Sequence, residues 1–124
     1  MQNQKNEEYQ DIIEQLHKVR EYASVLEKHV SDLKAIAETL EKCSELKKGH
    51  EILVPFGSGL FCKAEIKSDK LILNVGASVC VEKTFSEASE IVKKQLDEVS
   101  SVLTQVQTNL NYLIAKESEL RKSI

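Results

Sequence analysis

The 124-residue chain contains no tryptophan, three phenylalanines, three tyrosines, one proline and four glycines. A 5% aromatic fraction beside a 30% charged fraction is typical of long solvated helices and argues against a thick globular core. An excess of positive charge is missing too, because the net charge is −3. Nucleic acid is therefore not expected as a partner, since phosphate binding normally requires a basic face.

The residue patterns of metal and catalytic sites are also missing. Cys43, Cys62 and Cys80 are widely spaced and form no CxxC pair, which argues against zinc, and we interpret them as small buried thiols. The three histidines are far apart in the sequence, and no nucleophile lies beside a general base. We therefore expect no enzyme, no cofactor and no metal site.

Long apolar runs do not occur either. Crossing a bilayer takes about 20 consecutive apolar residues, and the first ten residues, MQNQKNEEYQ, lack the features of a signal peptide. We expect a soluble, cytoplasmic protein without a membrane partner.

Two segments of similar length carry apolar residues in a heptad repeat, the pattern of a coiled coil. They predict one helix over about residues 5–48, ended by Gly49, and another over about 85–122, which begins with a capping box of Thr84 and Glu87. The first helix carries the repeat at Tyr9, Ile12, Leu16, Val19, Ala23, Leu26, Val30, Leu33, Ala37 and Leu40. The second carries it at Val92, Leu96, Val99, Leu103, Val106, Leu110 and Leu113, and again at Leu120 and Ile124.

The segment between the helices, about residues 51–83, predicts four short strands in two β-hairpins. Alternating apolar and polar residues indicate half-buried strands, and the stretches PFGSG and GAS supply turn residues. The predicted fold is mainly α with a β insert: an antiparallel coiled-coil hairpin with two β-hairpins at its base.

The two helices pair best when the numbers of facing residues add up to about 129, so that heptad a positions meet d positions. Leu16 then faces Leu113, and each arm is about 50 Å long. Near the chain ends this register places Ile12 opposite Glu117, so we expect the pairing to fail there and to leave apolar side chains exposed. Such a patch predicts a surface that binds other proteins; the alternative is simple fraying of the helix ends.

The β insert alternates apolar residues but has no second layer within the chain to cover them. Open sheet edges also invite pairing with other chains. We therefore expect oligomerisation through the insert into a closed barrel. The alternative is a monomer whose sheet folds back onto the helices near Leu46 and Ile91.

Two motifs in the insert resemble the alpha-class subunits of prefoldin, the class of archaeal prefoldin alpha and eukaryotic prefoldin subunit 5. They are LVPFGSGLF at residues 53–61 and NVGASVCVEK at residues 74–83, and with both heptad arms the resemblance covers a single prefoldin domain over residues 1–124. Two hairpins match the alpha class, because the beta class carries one. Cys62 and Cys80 depart from the family, which more usually has apolar or aromatic residues at these strand positions.

The resemblance implies a hexamer of two alpha and four beta subunits, whose hairpins form a β-barrel platform. It also implies an ATP-independent chaperone (holdase) that captures unfolded client proteins at the coiled-coil tips and delivers them to a group II chaperonin. A non-chaperone adaptor or scaffold on the same fold is the alternative. We expect client contacts from Tyr9, Ile12, Ile13, Leu16, Leu113, Leu120 and Ile124. We expect subunit assembly through Val54, Phe61, Leu73, Val75 and Val81.

Overall fold

The computed structural model describes residues 2–124 and contains two long α-helices separated in the chain by two antiparallel β-hairpins. The mainly helical fold with a β insert is therefore confirmed. The elements are α1 (Gln2–Cys43), β1 (Glu51–Gly57), β2 (Leu60–Glu65), β3 (Lys70–Gly76), β4 (Val79–Thr84) and α2 (Phe85–Ser123).

The chain forms two compact units. The helical unit consists of residues 2–34 together with Gln95–Ile124, and the strand unit is Ala35–Lys94. Each helix contributes one part of its length to each unit.

Every buried side chain among residues 2–124 belongs to the helical unit. These side chains are aliphatic, are 4–9% exposed, and lie at heptad core positions of the sequence. They are Ile12, Leu16, Ala23, Leu26, Leu33 and Leu113. Within residues 2–124, the seam between the helices is therefore the only core, as expected for a coiled coil with few aromatic residues.

Helix α1 ends at Cys43, five residues earlier than the sequence predicts. The Ser44 hydroxyl donates a hydrogen bond of 2.8 Å to the Glu41 carbonyl oxygen, and the Ser44 amide bonds the same oxygen at 3.4 Å. Serine commonly competes for backbone partners in this way and so disfavours further helix. Gly49 has a left-handed φ of 97°, but its amide bonds the carbonyl of Ile66 at 2.8 Å, so it leads into the first hairpin instead of capping α1.

Helix α2 begins with the predicted capping box. The Glu87 amide donates to Thr84 Oγ1 at 3.1 Å, and the Thr84 amide donates to Glu87 Oε1 at 3.2 Å. Two of the amides that a helix start leaves unpaired are thus satisfied. The hydrogen bond from the Thr84 amide to the carboxylate is the main cause that lowers the pKa of Glu87.

The two hairpins share one design, in which a two-residue turn follows a bulge. In β1–β2, Pro55 pairs with Phe61 and Gly57 with Leu60, so Phe56 is the extra residue. In β3–β4 the extra residue is Val75, between the pairs Asn74–Cys80 and Gly76–Val79. Bulges of this kind bend a strand and redirect a side chain.

The strand unit has open edges and no buried core. Strand β1 pairs only with β2, and β3 only with β4, in two separate two-stranded sheets. None of residues 35–94 is fully buried. A closed barrel is thus not formed by a single copy of the chain.

Candidate binding surfaces

Two groups of exposed apolar side chains stand out, one in each unit. We call the first the strand surface; its members are all at least 53% exposed. It consists of Leu53, Phe56, Leu60, Phe61, Ile72, Val75 and Val79. Large exposed apolar side chains on strands with open edges are typical of regions that other chains cover.

The strand surface arises from the pleat and from the two bulges. On the β1–β2 hairpin, Leu53 and Phe61 share one face, because their cross-strand partners are Lys63 and Pro55. The bulge residues Phe56 and Val75 are 72% and 57% exposed. An isolated two-stranded hairpin is marginally stable in water, so covering these side chains would stabilise the strands themselves.

The five residues predicted for assembly are distributed unevenly. Phe61 and Val75 belong to the strand surface, and Val54 is 36% exposed. Leu73 and Val81 are half-buried and face each other as a cross-strand pair, so they stabilise their own hairpin. Sequence reasoning missed the most exposed member, Ile72 at 75%, because it looked for the apolar face of β3, and Ile72 lies on the opposite face.

We call the second group the terminal surface, since it lies where the chain begins and ends. It consists of Ile13, Tyr112, Ile114 and Ile124, which are 38–60% exposed. Ile13 directly follows the buried Ile12, and Ile114 directly follows the buried Leu113. Both therefore flank the seam at equivalent heptad positions.

The seven residues predicted to contact clients fall into two classes. Ile13 and Ile124 are exposed and belong to the terminal surface. The others lie in or against the seam: Ile12, Leu16 and Leu113 form a buried cluster against which Leu120 packs, and Tyr9 is half-buried. In the closed seam, Ile12, Leu16 and Leu113 are therefore not available to a client. Tyr112 and Ile114 are exposed as well, although they were not among the residues predicted to contact clients.

The expected failure of the pairing near the chain ends does not occur. Ile12 is only 6% exposed and packs with Leu16 and Leu113. Glu117 is held by the Tyr9 hydroxyl, which donates to its Oε1 atom at 3.0 Å, and Arg121 Nη1 lies 3.8 Å from the same oxygen. The hydrogen bond to this carboxylate is the main cause that raises the pKa of Tyr9, and burial of the phenol adds to it.

The cysteines also differ from expectation. Cys62 and Cys80 are exposed on the strands and Cys43 is half-exposed, all three as free thiols. The interpretation as buried thiols is therefore wrong for Cys62 and Cys80, because a two-stranded hairpin has no layer that could cover them.

Among residues 2–124, no three His, Cys, Asp or Glu side chains lie together so as to hold a metal ion. Neither helix, as described, has the length and apolarity that a membrane span requires.

Comparison with known proteins gives a consistent result. The model of the prefoldin subunit family matches residues 12–124. The chain is 28% identical over 119 residues to prefoldin subunit alpha of Thermofilum pendens, covering 95% of this chain and 92% of the relative. It is 32% identical over 114 residues to prefoldin subunit alpha of Methanococcus vannielii, covering 88% and 76%.

Among solved structures, the fold is similar to a chain in the cryo-EM structure of filamentous PFD from Methanocaldococcus jannaschii. The TM-score is 0.74 at 22% identity, with 96% of this chain and 99% of the other covered. At this identity the similarity establishes a shared fold.

Proposed function

Because this chain belongs to the prefoldin family as an alpha subunit, we propose that it acts as a holdase subunit that captures unfolded proteins without ATP. In this proposal it passes its clients to a group II chaperonin. Membership in a family of chaperone subunits is the premise; capture and delivery are the proposal.

The observation that carries the proposal is the separation of two exposed apolar surfaces into different units. The strand surface consists of strand side chains beside unpaired sheet edges, so it offers both apolar contact and backbone hydrogen bonds to another chain. The terminal surface consists mainly of helical side chains beside a closed seam, and at Ile13, Tyr112 and Ile114 the backbone groups are already paired within the helices. These chemistries suit subunit assembly and capture of apolar segments, respectively.

For the strand surface we propose assembly with prefoldin beta subunits into a hexamer of two alpha and four beta subunits. The absence of any fully buried side chain in residues 35–94 supports this, because the hairpins gain a core only when another chain covers them. A β-barrel platform built from hairpins of several subunits would remove the open edges.

For the terminal surface we propose capture of apolar segments of unfolded clients. Its aliphatic members Ile13, Ile114 and Ile124 provide no directional polar contact, which suits binding of many sequences. Tyr112 adds a large aromatic ring with a polar hydroxyl, and Lys116 Nζ lies 5.9 Å from the ring centroid. Such a ring can pack on apolar segments while its hydroxyl stays in water.

The experiment that tests the function measures aggregation of chemically unfolded citrate synthase by light scattering. The chain assembled with a prefoldin beta subunit should suppress aggregation without ATP. A complex that binds one native partner and leaves the aggregation unchanged would instead be an adaptor.

A further inference from the structure

Two polar side chains meet at core positions of the seam, close to the chain ends. The heptad repeat assigns Tyr9 and Glu117 to the seam, and the structure joins them by a hydrogen bond of 3.0 Å. The Glu117 side chain is only 14% exposed, whereas that of Arg121, its second neighbour, is 64% exposed. A largely covered carboxylate in an apolar seam requires a donor, and Tyr9 is the donor within hydrogen-bond distance.

This contact also determines how the helices align. If α2 slid along α1 by one heptad, about seven residues, so that Glu117 moved from opposite Ile12 to opposite Val19, Leu16 would take the place of Tyr9 and offer no donor. A single polar contact at core positions commonly fixes register in this way, at a cost in stability. The Tyr9–Glu117 pair therefore favours the observed alignment and makes this part of the seam weaker than an apolar one.

A buried apolar cluster lies directly beside the polar pair. Ile12 follows Tyr9 by one helical turn, and Leu113 precedes Glu117 by one turn. Leu16 packs with Ile12 and Leu113, and the three side chains are 4–6% exposed. The exposed Ile13 and Ile114 follow two of them in the chain. Separation of the helices at Tyr9 and Glu117 would thus join buried and exposed apolar side chains into one larger surface.

We propose that the Tyr9–Glu117 hydrogen bond is a latch that regulates the terminal surface. While the latch is closed, unfolded segments meet only the exposed side chains. When it opens, Ile12, Leu16 and Leu113 become available as additional contacts for an apolar segment. The regulatory role rests on the proposed capture function, whereas the latch itself is a property of the seam.

Two substitutions should act in opposite directions. Tyr9→Phe removes the donor and keeps the ring, so the latch opens more often. Glu117→Leu replaces the carboxylate by an apolar core residue, so the seam closes more tightly. Tyr22→Phe is the matched control, because it removes the hydroxyl of an exposed tyrosine of α1 that lies outside the terminal surface.

The first readout is amide hydrogen exchange of residues 9–16 and 110–117, measured by mass spectrometry on the full chain assembled with a prefoldin beta subunit. Exchange should become about threefold faster in Tyr9→Phe, the size expected for losing one partly exposed hydrogen bond. It should become slower than wild type in Glu117→Leu and stay unchanged in Tyr22→Phe. Equal exchange in Tyr9→Phe and Tyr22→Phe would show that there is no latch.

The second readout is suppression of the aggregation of chemically unfolded citrate synthase by the same complexes. Capture should increase in Tyr9→Phe and decrease in Glu117→Leu. If exchange changes as expected but capture does not, the pair only sets the register and the regulatory role is refuted. If the wild-type complex captures nothing, the proposed function fails, and the exchange data still decide whether the latch exists.

Discussion

At the scale of single residues, polar side chains determine where the two helices pair as the heptad repeat predicts. The heptad repeat alone places a carboxylate opposite an isoleucine near the chain ends and suggests that pairing fails. The Tyr9 hydroxyl prevents this, because it satisfies Glu117 at 3.0 Å and keeps Ile12 in the core. A pattern that treats tyrosine simply as apolar cannot reveal that donor.

Glu87 leads to a prediction about pH. Its pKa is lowered in the folded chain by hydrogen bonds from Thr84, and Lys83 Nζ lies 3.8 Å away. A lowered pKa means that this carboxylate stabilises the fold above its unfolded pKa, 4.5, and that the contribution is lost as the pH falls through the lower folded value. The melting temperature of wild type should therefore fall over this acid range.

The control for that prediction is Glu87→Gln, which preserves hydrogen-bonding capacity without titrating. The difference in melting temperature between wild type and Glu87→Gln should shrink as the pH falls below 4.5. A difference that stays constant from neutral to acid pH would show that the Glu87 charge does not contribute.

At the scale of elements, helix α2 and the turns were more predictable than the exact strand geometry. The capping box sets the start of α2 through residues that are adjacent in sequence. The early end of α1 depends on Ser44, whose hydroxyl is compatible with both a helix and a turn. The bulges at Phe56 and Val75 were missed because a segment with one extra residue still has the alternating pattern of a strand.

The turn of the second hairpin combines glycine and non-glycine residues with positive φ, so substitutions there should change stability in opposite directions. Gly76, Ala77 and Ser78 all have positive φ, at 112°, 49° and 62°. A non-glycine residue with left-handed φ costs about 1–2 kcal/mol, so Ala77→Gly should stabilise the hairpin, offset in part by the added freedom of the unfolded chain.

Gly76→Ala makes the opposite change to Ala77→Gly in the same turn. Nothing lies within 4 Å of the position where a Cβ would be added, so any loss comes from the backbone conformation alone. In chemical unfolding, the free energy of unfolding should be highest for Ala77→Gly, intermediate for wild type and lowest for Gly76→Ala. The reverse order would contradict the left-handed turn.

At the scale of the whole molecule, the sequence predicted that the β insert is covered by other chains. It did not predict which face of each strand is exposed to solvent, because that depends on which parts of the two hairpins are covered by partners. Ile72 illustrates this: it is the most exposed residue of the strand surface, although it is strongly apolar.

Assembly through the strand surface predicts that Ile72→Lys prevents complex formation. The lysine is tolerated by the isolated chain, because Ile72 is 75% exposed and its cross-strand partner is Glu82, an attractive pairing. Native mass spectrometry with a prefoldin beta subunit should show the hexamer for wild type and free subunits for the variant. Val25→Lys, at a 65% exposed site of the helical unit, is the control that should still assemble.

The most direct test of the account replaces the exposed isoleucines of the terminal surface. The triple variant Ile13→Ser, Ile114→Ser, Ile124→Ser should form the same complex as wild type but lose most of its ability to suppress aggregation of unfolded citrate synthase without ATP. The matched control carries serine at Val25, Ile36 and Val102, which are apolar helix positions elsewhere with exposures of 65%, 47% and 39%, and should retain it. Equal suppression by the triple variant and wild type would contradict capture by the terminal surface.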